Sequence, residues 1–275
     1  MSALEGLFAR TRAEGRAALV GYLPAGFPTV LGCVEALTAM VAAGVDVVEI
    51  GLPYSDPLMD GPTIQRAAEV ALEAGTTTDD VLETVGAVAA TGAPTLVMTY
   101  WNPVERYGVG RFADAMAAAG GAGVITPDLT PDEAQPWLDA VGTAGIDPVF
   151  LVAPSSTPDR VKRVADVTRG FVYAASTMGV TGVREQVAST AESLVARVRE
   201  TTDLPVCVGL GVSTREQAAE VAAYADGVIV GSAFVRRMLD APSVADGVRA
   251  VGELAAELAA GCRGDHTRDG VDREP

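Results

Sequence analysis

One histidine and one lysine in 275 residues leave this chain short of two common tools of enzyme chemistry. His266 lies in the polar end segment GCRGDHTRDGVDREP, so imidazole catalysis and histidine metal ligation are not expected, and no metal site is. Lys162 falls in STPDRVKRVADV, where Thr157 and Pro158 mark a helix start; a Schiff-base amine aimed into a pocket has no natural place there. Cys33, Cys207 and Cys262 stand apart without CxxC spacing, which excludes a disulfide framework and a zinc site and leaves the first two as small buried residues. No apolar run approaches the roughly 20 residues of a spanning helix. The opening MSALEGLFARTRAEGRAALV carries charges throughout, unlike a signal peptide, so a cytoplasmic protein is expected. Basic residues number 20 against 36 acidic ones, and a net charge of −16 argues against nucleic-acid or membrane-surface binding. A small ligand or a protein partner is expected instead. Proton transfer must fall to carboxylates and tyrosines.

What the chain does have is apolar residue, 49% of it, in a repeating order. Eight β-rich runs, 17–23, 45–51, 94–100, 122–127, 147–153, 170–176, 205–211 and 226–232, alternate with helical stretches. Thr130-Pro131 and a Ser213/Glu216 capping box predict helix starts, and Gly44, Gly92, Gly120 and Gly145 predict helix ends. Near-continuous apolar strands separated by helices predict an α/β fold, a (β/α)8 barrel, because a parallel sheet is covered on both faces and each crossover needs a helix. A doubly wound open sheet is the alternative, but its GxGxxG fingerprint is absent after the first run. Ser2 and Glu5 open an extra N-terminal helix placed to cover the barrel bottom. The segment after the second run is long enough for a loop and two helices. One domain over 1–260 is expected, followed by a polar, disordered tail over 261–275.

In such a barrel the active site lies at the C-terminal ends of the strands. Glu49 ends the second apolar run, in VVEIGLPYSDPLMDGPTIQRA, and reads either as an ion-paired structural carboxylate or as a general acid/base whose pKa an apolar pocket raises. Asp56 and Asp60 follow in a loop broken by Pro53, Pro57, Gly61 and Pro62, where aspartate often serves as a cap or turn residue. Tyr22, Tyr100 and Tyr173 fall near strand ends and suit packing or an aromatic ligand. Glycine clusters at 178–182, 209–211 and 231–232 are either plain turns or, taken together, a phosphate cradle.

GYLPAGFP, EIGLPYSDPLMDGPTIQRA, YWNPV, FLVAPSS, GFVYAASTMGVTGVR, GLGVS and ADGVIVGSAFV together resemble, in order and to about residue 258, the tryptophan synthase alpha subunits. SDPLMDGPTIQ is the most specific of these matches. The resemblance implies a TIM barrel that cleaves indole-3-glycerol phosphate, a small phosphate substrate, to indole and glyceraldehyde 3-phosphate. It implies no cofactor in this chain and a beta subunit that holds pyridoxal phosphate and consumes the indole, in an alpha2beta2 heterotetramer. Glu49 matches the family's acid/base and Asp60 the carboxylate that holds the indole N–H. Tyr22, Tyr100 and Leu210 match the substrate pocket, Tyr173 a position near the glycerol chain, and Thr181 a closing-loop residue that contacts Asp60. Gly182, Gly211, Gly231 and Ser232 match phosphate-binding positions. Pro53, Asp56, Asn102 and Pro103 match loops that face the beta partner. Tyr22, Leu210 and Met59 depart from the commoner family residues. A stand-alone lyase releasing free indole, and a non-catalytic partner barrel, are the rival readings.

Overall fold

The computed structural model describes residues 1–175 and 184–264. Among these residues nine parallel strands form one sheet: β1 Ala18–Pro24, β2 Val47–Gly51, β3 Thr95–Met98, β4 Gly123–Ile125, β5 Asp147–Val149, β6 Leu151–Val152, β7 Val172–Ala175, β8 Val206–Gly209 and β9 Gly227–Val230. Their order, β5-β4-β3-β2-β1-β9-β8-β7-β6, is a barrel whose two ends are consecutive in the chain. The expected eight runs are all strands, with one amendment. The fifth is split at Phe150, its first half pairing with β4 and its second with β7, so the barrel closes through one bent segment.

Twelve helices are described: α1 Ala3–Ala13, α2 Val30–Ala42, α3 Pro62–Glu73, α4 Thr78–Ala89, α5 Trp101–Tyr107, α6 Val109–Ala118, α7 Gln135–Ala144, α8 Pro158–Val167, α9 Arg184–Arg199, α10 Arg215–Ala222, α11 Ser232–Leu239 and α12 Val244–Cys262. None is long and apolar enough to cross a membrane. Both helices expected after the second strand are present, as α3 and α4, and Thr157 caps α8 ahead of Pro158. Two helix starts differ from expectation. Thr130-Pro131 makes a tight turn, Glu133 N–H donating to Thr130 at 3.0 Å, and α7 begins at Gln135. Pro136 explains this, since it lacks an N–H and its ring clashes with a preceding helical turn, so it is accommodated only at a helix start. The cap of α10 is Thr214 rather than Ser213: its hydroxyl accepts from Gln217 N–H, while the Gln217 side chain accepts from Ser213 N–H at 2.7 Å.

Alternation along the strands divides the core in two. Outward residues such as Leu19, Leu23, Val48 and Ile50 pack against the helices. Inward residues Ala18, Val20, Val47, Leu96, Ile125, Val149, Cys207 and Ile229 fill the lower barrel, with Leu4, Leu7 and Phe8 of α1 closing it from below. The Ser2/Glu5 capping box sets the start of that plug. Beside it Arg16 grips Asp46 with two bonds, at 2.7 and 2.8 Å, and Asp46 also accepts from Leu19 N–H. The last helix continues to Cys262, buried like Cys33 and Cys207.

Candidate active site

Filling the lower barrel with aliphatic side chains leaves the upper interior to the next inward residue of each strand. In register, Tyr22 of β1 lies opposite Glu49 of β2, and Glu49 opposite Leu96 of β3. From the far wall Tyr173 faces inward on β7, in register with Cys207 of β8. A carboxylate is thus set among two phenols, a thiol and aliphatic carbon.

Glu49 is 1% exposed, and its Oε2 has no hydrogen-bond partner among the described residues. Ionising a carboxyl there forfeits hydration that nothing replaces, and the nearby negative charge of Asp60 adds to the cost. Burial first and Asp60 second push its pKa up to about 8, so the group holds its proton at neutral pH. Burial also raises the phenols of Tyr22 and Tyr173 well above their ordinary range, with further contributions from Asp60 and Glu49, so both remain neutral donors.

Asp60 reaches the same space from the loop between β2 and α3, and Tyr100 holds it there. Tyr100 follows β3 as the N-cap residue of α5. Its hydroxyl accepts from Met59 N–H at 2.9 Å, fixing the backbone next to Asp60, and it lies beside the Asp60 carboxylate, whose charged form it favours. The Asp60 carbonyl accepts from Gln65 Nε2 at 2.8 Å, and Tyr54 packs its ring 5.2 Å from that of Tyr100. Half-burial raises the Asp60 pKa, and the Tyr100 hydrogen bond opposes the rise. Two carboxyls of unequal environment therefore face one another, the deeper one protonated and the shallower one better able to ionise.

The rim beyond β8 and β9 supplies backbone donors. Gly211 has φ +71°, a conformation that favours glycine, and half-buried Leu210 precedes it. Gly231 is the N-cap of α11 and Ser232 its first residue; no side chain caps this helix, so its leading N–H groups are open to an anion at the barrel mouth. Thr181 and Gly182 lie outside the described residues.

Pro53, Asp56, Asn102 and Pro103 come together elsewhere, along an open groove of about 600 Å³ on the outer side of the same loop, with Tyr54 and Arg106. Leu58 and Met59 stand exposed nearby. Lys162 is on the surface of α8, paired with Asp166, and no cluster of metal-ligating side chains occurs among the described residues.

A family model described as "Tryptophan synthase alpha chain" matches residues 8–262. The chain belongs to the tryptophan synthase alpha family. It is 60% identical over 266 residues to the tryptophan synthase alpha chain of Thermobifida fusca, covering 96% of this chain and 98% of that one. Against the alpha chain of Acidothermus cellulolyticus it is 62% identical, with the same coverage of each. A solved Mycobacterium tuberculosis tryptophan synthase superposes with a TM-score of 0.89 at 55% identity, covering 95% of this chain and 98% of the other. An alpha subunit from Legionella pneumophila gives 0.88 at 31%, with 96% and 99% covered.

Within this tryptophan synthase alpha barrel, Glu49, Asp60, Tyr22, Tyr100 and Tyr173 converge on the upper interior, and Gly211, Gly231 and Ser232 line its rim. Two residues of the arrangement escaped sequence reasoning. Gly51 leaves the space that the Tyr22 hydroxyl enters, and Asp128 accepts from Trp101 N–H with both carboxylate oxygens, at 2.9 and 3.1 Å. Neither has a local signal. Gly51 reads as an ordinary strand end, and Asp128 is 27 positions from its partner.

Proposed function

We infer that Glu49 and Asp60 carry out the lyase reaction of this alpha subunit, cleavage of indole-3-glycerol phosphate to indole and glyceraldehyde 3-phosphate. The observation that carries the assignment is the buried, proton-holding Glu49, whose Oε2 has no hydrogen-bond partner among the described residues, facing the loop carboxylate Asp60. A retro-aldol cleavage requires a proton at indole C3, loss of the proton from the hydroxyl beside the breaking bond, and a counter-charge for the indole ring between these events. Glu49 gives its proton to C3. The ring, now cationic, is stabilised by Asp60 at the indole N–H. The hydroxyl oxygen then loses its proton to the Glu49 carboxylate, its electron pair forms the aldehyde, and the pair of the broken carbon–carbon bond returns to the ring. Proton count closes, and Glu49 is restored.

Tyr22 and Leu210 wall the indole, Tyr173 approaches the glycerol chain, and the donors of Gly211, Gly231 and Ser232, with Gly182, hold the phosphate. The groove of Pro53, Asp56, Asn102 and Pro103 receives the beta subunit, which carries the pyridoxal phosphate, in an alpha2beta2 assembly in the cytoplasm; this chain needs no cofactor of its own for the cleavage.

Indole release from indole-3-glycerol phosphate tests this, measured for the chain alone and with a beta subunit. Slow cleavage that the partner accelerates supports a channelling subunit, whereas fast cleavage indifferent to the partner supports a stand-alone lyase. No release in either condition refutes the roles of Glu49 and Asp60.

A further inference from the structure

Asp60 owes its place to a side chain from another strand, which raises the matter of what fixes that side chain. Tyr100 sits where β3 gives way to α5, with extended backbone, φ −64° and ψ 158°. No side chain of its own segment caps α5, so the Trp101 N–H would be an orphan donor at the start of a short helix. Asp128, from the segment after β4, supplies the missing acceptor with both oxygens. Just before it, Thr99 N–H donates to Ile125 at 3.0 Å and the Thr99 hydroxyl donates to the Tyr100 carbonyl at 2.9 Å. The backbone on either side of Tyr100 is therefore tied to the β4 strand and the segment that follows it. From the backbone so tied, the long phenol extends to Met59, whose N–H donates to its oxygen at 2.9 Å.

We propose that Asp128 is a positioning residue for the cleavage reaction: by capping α5 at Trp101 it fixes Tyr100, and through the Tyr100 hydroxyl it fixes Asp60. This rests on the reading of Asp60 given above. Asp128 is solvent-exposed and belongs to no cluster around Glu49, so it has no direct part in the chemistry. Its removal frees the first turn of α5, and a small rotation there is enlarged at the phenol oxygen. The carboxylate that must meet the indole N–H then spends less time in place. An exposed cap contributes modestly to stability, so the effect falls on catalysis more than on folding.

The test is a double-mutant cycle on the full-length chain. Asp128→Ala is expected to lower kcat for indole release by about tenfold, the equivalent of one ordinary hydrogen bond, with KM within about twofold of the parent. Asp128→Asn, which keeps a neutral acceptor, recovers most of the loss. In a Tyr100→Phe background Asp128→Ala costs nothing further, and the Met59 amide resonance, displaced by Asp128→Ala in the parent, does not move. Losses that multiply overturn the proposal, as does a fall in thermal stability that accounts for the whole effect and is not rescued by Asp128→Asn. Parental activity in Asp128→Ala beside an inactive Asp60→Asn removes this proposal alone. Full activity in Asp60→Asn removes the reading of Asp60 and the proposal with it.

Discussion

The Tyr22 hydroxyl stands where a Cβ on Gly51 would be, with two of its ring carbons 2.7 Å from that position. The two residues face inward on neighbouring strands, and glycine at 51 is the condition for the phenol to lie against β2. Gly51→Ala is therefore expected to swing Tyr22 out of the pocket. Overpacking of this kind costs about 1–3 kcal/mol of stability. Indole release is expected to fall by more than that instability explains, and a folded Gly51→Ala chain with parental activity would show that the phenol is not needed there.

Glu49 sets the alkaline side of the pH profile. With a pKa pushed up to about 8, it carries the proton for indole C3 below that pH and loses it above. The kcat/KM of the chain alone is expected to decline through about pH 8. Asp60 must be ionised, and its raised pKa places the acidic decline above the ordinary aspartate value of 3.8. Glu49→Gln removes the proton donor and lowers kcat by about 10²–10⁴. A flat profile between about pH 6 and 9.5 would contradict this assignment.

The same burial makes stability depend on pH. Between 4.5 and about 8 the folded chain keeps on Glu49 a proton that the unfolded chain has released, so stability falls as pH rises through that window. Glu49→Gln does not titrate. Its unfolding free energy relative to the parent is expected to rise from about pH 4.5 to about pH 8.5 by up to about 5 kcal/mol, because each tenfold difference in proton affinity between the folded and unfolded chain is worth about 1.36 kcal/mol. Urea melts at the two pH values measure it, and a pH-independent difference would mean that the carboxyl is solvated.

The floor of the barrel is expected to behave oppositely to its mouth. Phe8, 4% exposed, packs its ring 5.7 Å from that of Phe171 and closes the interior from below. Phe8→Ala leaves a cavity and should cost about 3–5 kcal/mol in a denaturant melt. The kcat of the fraction that remains folded should not change, because the reacting groups lie a layer or more above. A fall in kcat matching that of Gly51→Ala would tie the floor to the chemistry.

The strands were legible because a parallel sheet is buried on both faces and turns each strand into an unbroken apolar run; β2, VVEIG, is buried throughout. Glu49 stood out for the same reason, as the one charge within VVEIG. The split at Phe150 was not legible, since residues 147–153 are almost uniformly apolar and only their neighbours divide them. Thr130-Pro131 carried a sound local helix signal that Pro136, five residues on, overruled. Asp128 and Gly51 act across space, on Trp101 and Tyr22, and no local pattern encodes such a relation. Spacing alone left Asp60 an ordinary loop aspartate; the family motif gave it a role, and the Tyr100 bond gives it a place.

The end of α12 sets where the chain can be shortened. Cys262 is 3% exposed, two residues past the boundary expected at 260, and its carbonyl accepts from Ala17 N–H at 3.3 Å, joining the last helix to the entry of β1. Stopping after Ala260 removes that acceptor and a buried side chain and exposes the seam between α12 and the barrel. It is expected to cost about 2–4 kcal/mol, from one hydrogen bond and a small core residue. Stopping after Gly264 leaves every one of these contacts in place. The chain ending at Gly264 should melt with the full chain and release indole at its rate, and the chain ending at Ala260 should melt at lower denaturant. Equal stability of the two would mean that the last turn of α12 adds nothing to the fold.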